Sequence, residues 1–316
     1  QMKSPRIIFM GTPDFAVASL KALVENNYNI VGVITAPDKP AGRGRKINSS
    51  AVKKYAESVN LNILQPEKLR DEDFLKNLKA LNADLQIVVA FRMLPKVVWN
   101  MPKLGTFNLH ASLLPQYRGA APINWAVING EKKTGITTFL LNDKIDEGNI
   151  LLQQEILIGE DDDAGIVHDK LMINGTDLIL KTVEGLKKGN IEPKKQNEEL
   201  TIKAAPKIFK DDCRINWSKD INEIYNHIRG LSPFPGAWSK LNNNDSETEV
   251  KIIKSKAVKQ DHNLDLGSIS IERKSIKIAV DSGFIEVLEL QIAGKKRMKS
   301  SDLLNGYKFS DNAIMT

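Results

Sequence analysis

The alternation at the start of the chain limits the fold more than any other feature. Arg6 to Met10 is β-branched and apolar, Ala16, Leu20 and Leu23 recur at helical spacing, and Ile30 to Thr35 returns to a strand-like run. Strand residues alternate between two faces, whereas helix residues three or four apart share one, so this change of period marks a βαβ unit. Parallel strands need such a crossover. Asp84 to Ala90 adds a nearly all-apolar run, the pattern of a strand buried on both faces of a parallel sheet. The expected class is α/β with a parallel sheet.

Further along, Ala51 to Val59 and Asp73 to Leu81 read as helices, and Thr106 to Leu109, Thr134 to Leu141 and Ile150 to Ile158 as strands. Ile166 to Leu186 reads as a helix weakened or bent at Gly175. These elements define a first domain over 1–189. Residues 190–206 contain two prolines, many polar side chains and little periodicity, which gives a linker. In the remainder, 207–316, Ile221 to Arg229 reads as a helix. Val250 to Ser255, Gly267 to Ile271, Ile276 to Val280 and Ile285 to Leu290 are short strand-like runs separated by turn residues. That spacing describes a small β-barrel or sandwich.

Composition narrows the class of protein. A chain of 316 residues, 41% hydrophobic and 27% charged, is longer than one typical domain and unlike a disordered chain. Its apolar runs, such as Ile87 to Phe91 and Val287 to Leu290, stop far short of the roughly 20 residues a spanning helix needs. The N-terminal stretch lacks a long apolar segment followed by a small-residue cleavage site. The single cysteine, Cys213, cannot form an intramolecular disulfide. A reducing cytoplasm is the expected location. His110, His168, His227 and His262 lie in unrelated segments without ligand spacing, so no metal is expected.

A formal charge of +6 is too small to argue for a nucleic-acid partner by itself. Its distribution says more. Lys39, Arg43, Arg45 and Lys46 form one cluster, Lys251, Lys254, Lys256 and Lys259 a second, and Lys295, Lys296, Arg297 and Lys299 a third. One such run is ordinarily a solvated face; three shift the balance toward a polyanionic partner.

After the first strand comes Gly11-Thr12-Pro13-Asp14-Phe15, where a dinucleotide-binding protein carries its glycine fingerprint. The spacing is wrong, and Asp14, read as a helix N-cap, would repel a phosphate there. No Walker-type loop is present. The richest stretch is Asn108-Leu109-His110-Ala111-Ser112-Leu113-Leu114-Pro115-Gln116-Tyr117-Arg118-Gly119. Strand alternation sends Asn108 and His110 to the same face, where an amide and an imidazole can converge on one atom. Taken alone, a histidine at a strand end is more often a structural residue. Asp146 lies in the polar turn Asn142 to Asn149, where Asp143 and Glu147 compete for any catalytic role.

In combination, NLHASLLPQYRGAAPI at 108–123 and KIDEGNIL at 144–151 resemble the signatures of the folate-dependent formyltransferases. GTPDFA at 11–16, PDKPAGRGRK at 37–46, KIFKDDCRINWSK at 207–219 and LSPFPGAW at 231–238 narrow the resemblance to the branch that formylates methionine carried by initiator tRNA. The match runs nearly end to end. It implies a Rossmann-like catalytic domain followed by a small OB-like β-barrel that binds tRNA. It also implies 10-formyltetrahydrofolate as co-substrate, initiator methionyl-tRNA as acceptor, and a monomer. Asn108, His110 and Asp146 become the catalytic trio, and Ser112, Leu113, Leu114 and Pro115 line the folate site. Lys39, Arg43, Arg45 and Lys46, on a flexible insert over Pro37 to Ser50, hold the tRNA acceptor end. Ala111, Gln116, Tyr117 and the run Phe91-Arg92-Met93 depart from the family pattern, and the last would reshape the folate pocket.

These residue types suit the chemistry. When an amine attacks a formyl carbon the carbonyl oxygen becomes an oxyanion, and losing one preorganised donor to it typically costs about 3 to 4 kcal/mol of barrier. Asn108 and His110 are such donors, and Asp146 orients the imidazole and relays protons. One rival is a formyltransferase acting on a purine-pathway amine or an amino sugar nucleotide, which needs no basic 37–50 segment. Another is a non-catalytic RNA-binding protein, which would not need the trio.

Overall fold

A computed structural model describes residues 4–44 and 46–316. The chain forms two compact units. One takes the chain through Gly119 together with Lys133–Leu157 and His168–Ala204; the other comprises Ala120–Lys132, Ile158–Val167 and Ala205–Thr316.

The first unit opens with β1 (Arg6–Gly11), α1 (Asp14–Glu25) and β2 (Asn29–Ile34), the βαβ unit read from the sequence. A short hairpin follows, β3 (Lys39–Ala41) and β4 (Lys46–Asn48), then α2 (Ala51–Ser58), β5 (Ile63–Leu64), α3 (Glu72–Ala80), β6 (Leu85–Val89), α4 (Lys96–Trp99) and β7 (Thr106–His110). After α5 (Pro122–Ile128), which belongs to the second unit, come β8 (Lys133–Leu140), β9 (Ile150–Leu157) and the long α6 (Ala164–Lys188). The sheet order is β5-β2-β1-β6-β7-β8-β9. Its first five strands are parallel, and β8 and β9 extend it antiparallel.

Strand β6 sits between β1 and β7 with all five residues buried, which is why its sequence carries no polar face. The one amide in it, Gln86, donates to the Val98 carbonyl at 2.8 Å. Helices begin where side chains satisfy free backbone amides: Ser50 caps α2 by accepting from the Lys53 N–H, and Asp71 caps α3 by accepting from the Phe74 N–H.

Three local expectations change. Asp14 is not an N-cap: Pro13 takes that place with no side-chain hydrogen bond, and Asp14 is the first helical residue, where its charge still meets the positive end of the helix dipole. The 37–50 segment is a β-hairpin rather than a plain loop, paired over Lys39↔Asn48 and Ala41↔Lys46. At Gly175, α6 continues unbroken. A Cβ there would lie 2.9 Å from Leu109 Cδ2, so the glycine lets the helix approach β7.

The second unit contains α5, α7 (Ile221–Gly230), β10 (Ala237–Asn243), β11 (Ser246–Lys259), β12 (Ile269–Glu272), β13 (Ser275–Val280), β14 (Gly283–Ile292), β15 (Met298–Lys299), α8 (Ser300–Leu303) and β16 (Ile314–Met315). The antiparallel order is β12-β13-β14-β11-β10-β16. A bridge between Ser268 and Ile314, at the two ends of that order, closes the sheet into a barrel. Trp217, Ile221, Ile224, Ile228, Ile252, Ile285 and Leu290 are among its core, with the α7 residues at helical spacing forming one face. Strand β10 escapes sequence reading because Ser239 and Asn243 are buried polar residues on it; Ser239 accepts from the Trp217 indole N–H at 2.9 Å.

Candidate active site

Strands β6 and β7 are parallel neighbours, with Val89 opposite Leu109. The segments that leave their carboxyl ends, 90–94 and 111–119, therefore emerge along the same edge, where open α/β sheets bind ligands. Asn108 is half-buried and His110, the last residue of β7, is 7% exposed.

The His110 ring is held from three sides. Its Nε2 lies 2.9 Å from the Tyr117 carbonyl oxygen. A carbonyl only accepts, so Nε2 carries the proton and donates. Phe139 meets the ring edge-on, with centroids 6.5 Å apart. That leaves Nδ1 toward Asp146, whose Oδ1 is 3.7 Å away. The other carboxylate oxygen, Oδ2, accepts from the Gly119 N–H at 2.9 Å. Asp143 is exposed, and Glu147 faces Arg118 Nη1 at 3.4 Å and Lys144 Nζ at 3.7 Å. Of the three carboxylates in the turn, Asp146 is the one on the histidine.

Backbone constraints put it there. Asp146 sits in the left-handed region at φ +55°, which Asp adopts more readily than most side-chain-bearing residues. Two residues on, a Cβ at Gly148 would lie 1.6 Å from the Leu140 carbonyl oxygen, so only glycine lets the turn pass.

The 111–119 segment is tied down along its length. Ser112 is fully buried and its hydroxyl donates to the Gln116 carbonyl at 2.6 Å. Thr137 donates to the Ser112 carbonyl at 2.7 Å and accepts from the Leu114 N–H at 3.2 Å. The Gln153 amide donates to the Leu114 carbonyl at 2.9 Å. Leu114 and Pro115 are buried, and half-buried Leu113 sits against Gly135, where an added Cβ would come 2.4 Å from Leu113 Cδ2. On the neighbouring segment, Ala90 is left-handed at φ +50°, Phe91 packs against the cluster containing Met10, Val88 and Leu94, and Met93 is 71% exposed. Arg92 stacks its guanidinium 5.0 Å from the Phe91 ring centroid and donates to the Pro66 and Glu67 carbonyls.

Lys39, Arg43 and Lys46 are exposed on the β3–β4 hairpin, whereas Arg45 lies outside the described residues. The hairpin is rooted by Asp38, which accepts from Lys53 Nζ at 2.6 Å and from the Gln65 amide at 2.8 Å. Those bonds, Lys53 first, hold the Asp38 carboxyl below its ordinary range. Among the described residues no cluster of three or more His, Cys, Asp or Glu is placed to hold a metal ion.

Sequence reasoning passed over Gln196. Its amide donates to the Asp146 and Gly148 carbonyls at 2.7 and 2.9 Å, and its oxygen accepts from Arg118 at 2.8 and 3.1 Å. It lies in an aperiodic polar stretch that carries no local signal of a role.

Asn108 and His110 on β7, with Asp146 against the His110 ring, put an amide, an imidazole and a carboxylate at one edge of the sheet, groups of the kind that stabilise charge developing on a carbonyl. Residues 5–183 match the family described as formyl transferase, and residues 207–308 match the formyl transferase C-terminal domain. The chain belongs to the formyl transferase family. A methionyl-tRNA formyltransferase of Flavobacterium johnsoniae is 56% identical over 99% of both chains, and one of Bacteroides thetaiotaomicron is 55% identical over 98% of both. Among solved structures, HypX from Aquifex aeolicus in complex with tetrahydrofolic acid superposes with a TM-score of 0.67 at 16% identity, covering 98% of this chain and 49% of HypX. The Helicobacter canadensis N-formyltransferase, described with folinic acid and dTDP-3-aminofucose, gives 0.63 at 21% identity, covering 93% and 100%. At such identities these two likenesses establish the fold.

Proposed function

We propose that this chain transfers the formyl group of 10-formyltetrahydrofolate to the free amino group of methionyl-initiator tRNA. The observation that carries the reading is the likeness, over nearly all of both lengths, to methionyl-tRNA formyltransferases. In the reaction one C–N bond forms at the methionyl nitrogen, the C–N bond to N10 of the folate breaks, and one proton passes from the amine to N10.

The chain's residues divide that work. The Asn108 amide donates to the oxygen that gains charge. His110, with its Nε2 proton committed to Tyr117, offers Nδ1 to take the amine proton and return it to the leaving nitrogen. Asp146, facing Nδ1, stabilises the imidazolium formed in between. A folate fits this edge of the sheet. Phe91, exposed Met93 and Leu113 supply apolar surface, and Ser112 to Pro115 form a floor fixed by Thr137 and Gln153. The exposed cations of the β3–β4 hairpin suit phosphate contacts with the acceptor end of the RNA. The division into a catalytic domain at 1–189, a linker at 190–206 and a tRNA-binding barrel at 207–316 belongs to the same reading, as do a monomeric state and a cytoplasmic location.

The deciding assay follows formyl incorporation from 10-formyltetrahydrofolate into methionyl-initiator tRNA and into free methionine, in the presence of a chelator. Formylation of the charged tRNA alone supports donor, acceptor and metal independence together. Failure with both acceptors, in a folded protein that binds folate, would point to a small-molecule amine instead.

A further inference from the structure

Within the Asp146 turn the Lys144 N–H donates to Asn142 Oδ1 and the Leu140 N–H to the Asn149 carbonyl, each at 2.9 Å, but neither bond reaches the Asp146 or Gly148 carbonyl. The turn's central residue is left-handed, its next glycine passes over the Leu140 carbonyl, and its two outward carbonyls, those of Asp146 and Gly148, need donors. A single amide meets that need. Gln196 is 7% exposed, and all four of its hydrogen-bonding positions are filled: Nε2 donates to both turn carbonyls, while Oε1 accepts from Arg118 Nε at 3.1 Å and Nη2 at 2.8 Å. With carbonyls on one side and a guanidinium on the other, the amide has only one workable orientation.

Arg118 is the residue between the two that set the rest of the site. Tyr117 supplies the carbonyl that fixes His110 Nε2, and Gly119 supplies the N–H that fixes Asp146 Oδ2. The amide therefore joins the turn that carries the carboxylate to the segment that orients both carboxylate and imidazole. Gln196 is itself pinned nearby, since Ile150 and Lys194 exchange backbone hydrogen bonds at 2.7 and 2.9 Å.

We propose that Gln196 is a positioning residue for formyl transfer: it fixes Asp146 against His110 Nδ1 by bridging the two loops that hold them. This rests on the reading of Asp146 given under the proposed function.

The test is a double-mutant cycle on kcat for methionyl-initiator tRNA, with single-turnover rates for the weakest variants. Gln196→Ala is expected to lower kcat about thirtyfold while both KM values stay within about threefold, the pattern of an interaction that matters only in the transition state. In an Asp146→Asn background the same change should cost less than about threefold, because residues that act as a unit are non-additive. Gln196→Glu keeps an acceptor for Arg118 but places an oxygen where two carbonyls need donors, and should fall as far as alanine. Being nearly isosteric, it enters the cycle if the alanine variant does not fold. An undiminished kcat in Gln196→Glu, a loss confined to KM, or the full loss repeated in Asp146→Asn would overturn the positioning role alone. Full kcat in Asp146→Asn by itself would overturn the reading of Asp146, and this proposal with it.

Discussion

At the residue scale, His110 has one nitrogen free for chemistry, because the other donates to the Tyr117 carbonyl. His110→Ala should lower turnover by about two orders of magnitude or more and leave tRNA affinity nearly unchanged; equal losses in kcat and in affinity would remove it from the reaction. Gly148→Ala would place a Cβ 1.6 Å from the Leu140 oxygen. The turn must then shift, so stability should fall by roughly 1–3 kcal/mol, with kcat falling as Asp146 moves. Chemical denaturation and steady-state kinetics on the same preparation check both. Strand alternation put Asn108 and His110 on one face, but a catalytic role for them, like the choice of Asp146 over Asp143 and Glu147, came from the family resemblance. The residues alone left that choice open, since it depends on which carboxylate a left-handed turn points at the ring. Gln196 was illegible for a similar reason: its partners are more than forty residues away in sequence.

At the element scale, the β3–β4 hairpin depends on Asp38. Its carboxyl is held below the ordinary range chiefly by the hydrogen bond from Lys53, then by that from Gln65. A group whose folded value is depressed contributes stability that is present above its unfolded value, about 3.9, and is lost as pH falls through the folded value. The melting-temperature gap between the native chain and Asp38→Asn should thus stay constant from about pH 8 to 5 and close below about pH 4. A gap that persists at low pH would mean that the carboxylate charge is not what matters. Beyond that root, Arg43 is exposed, and Arg43→Ala should weaken use of methionyl-tRNA and reduce the salt slope by about one; an unchanged slope would take the hairpin out of the RNA contact. The sequence showed a basic Pro/Gly-rich stretch but no strand period, because three-residue strands are too short to display one. Long apolar strands such as β6 were plain. Strand β11 was read short, its alternation broken where the register with β14 shifts around Lys254.

At the scale of the whole molecule, each unit has its own buried core, so the fold can be challenged in one unit while the other is observed. Ile285 is fully buried in the barrel, and Ile285→Ala should destabilise that unit by about 2–5 kcal/mol through lost burial and a cavity. Trp125, Trp217 and Trp238 belong to the barrel unit and Trp99 to the other, so tryptophan fluorescence reports mainly on the barrel. Heating the variant should bring the fluorescence transition to a lower temperature than in the native chain. Above that transition, formylation of methionyl-tRNA should fail while folate binding to the catalytic unit continues, since the residues assigned to the folate site all lie in the other unit. Loss of folate binding at the same temperature as the fluorescence change would show that the two units unfold as one.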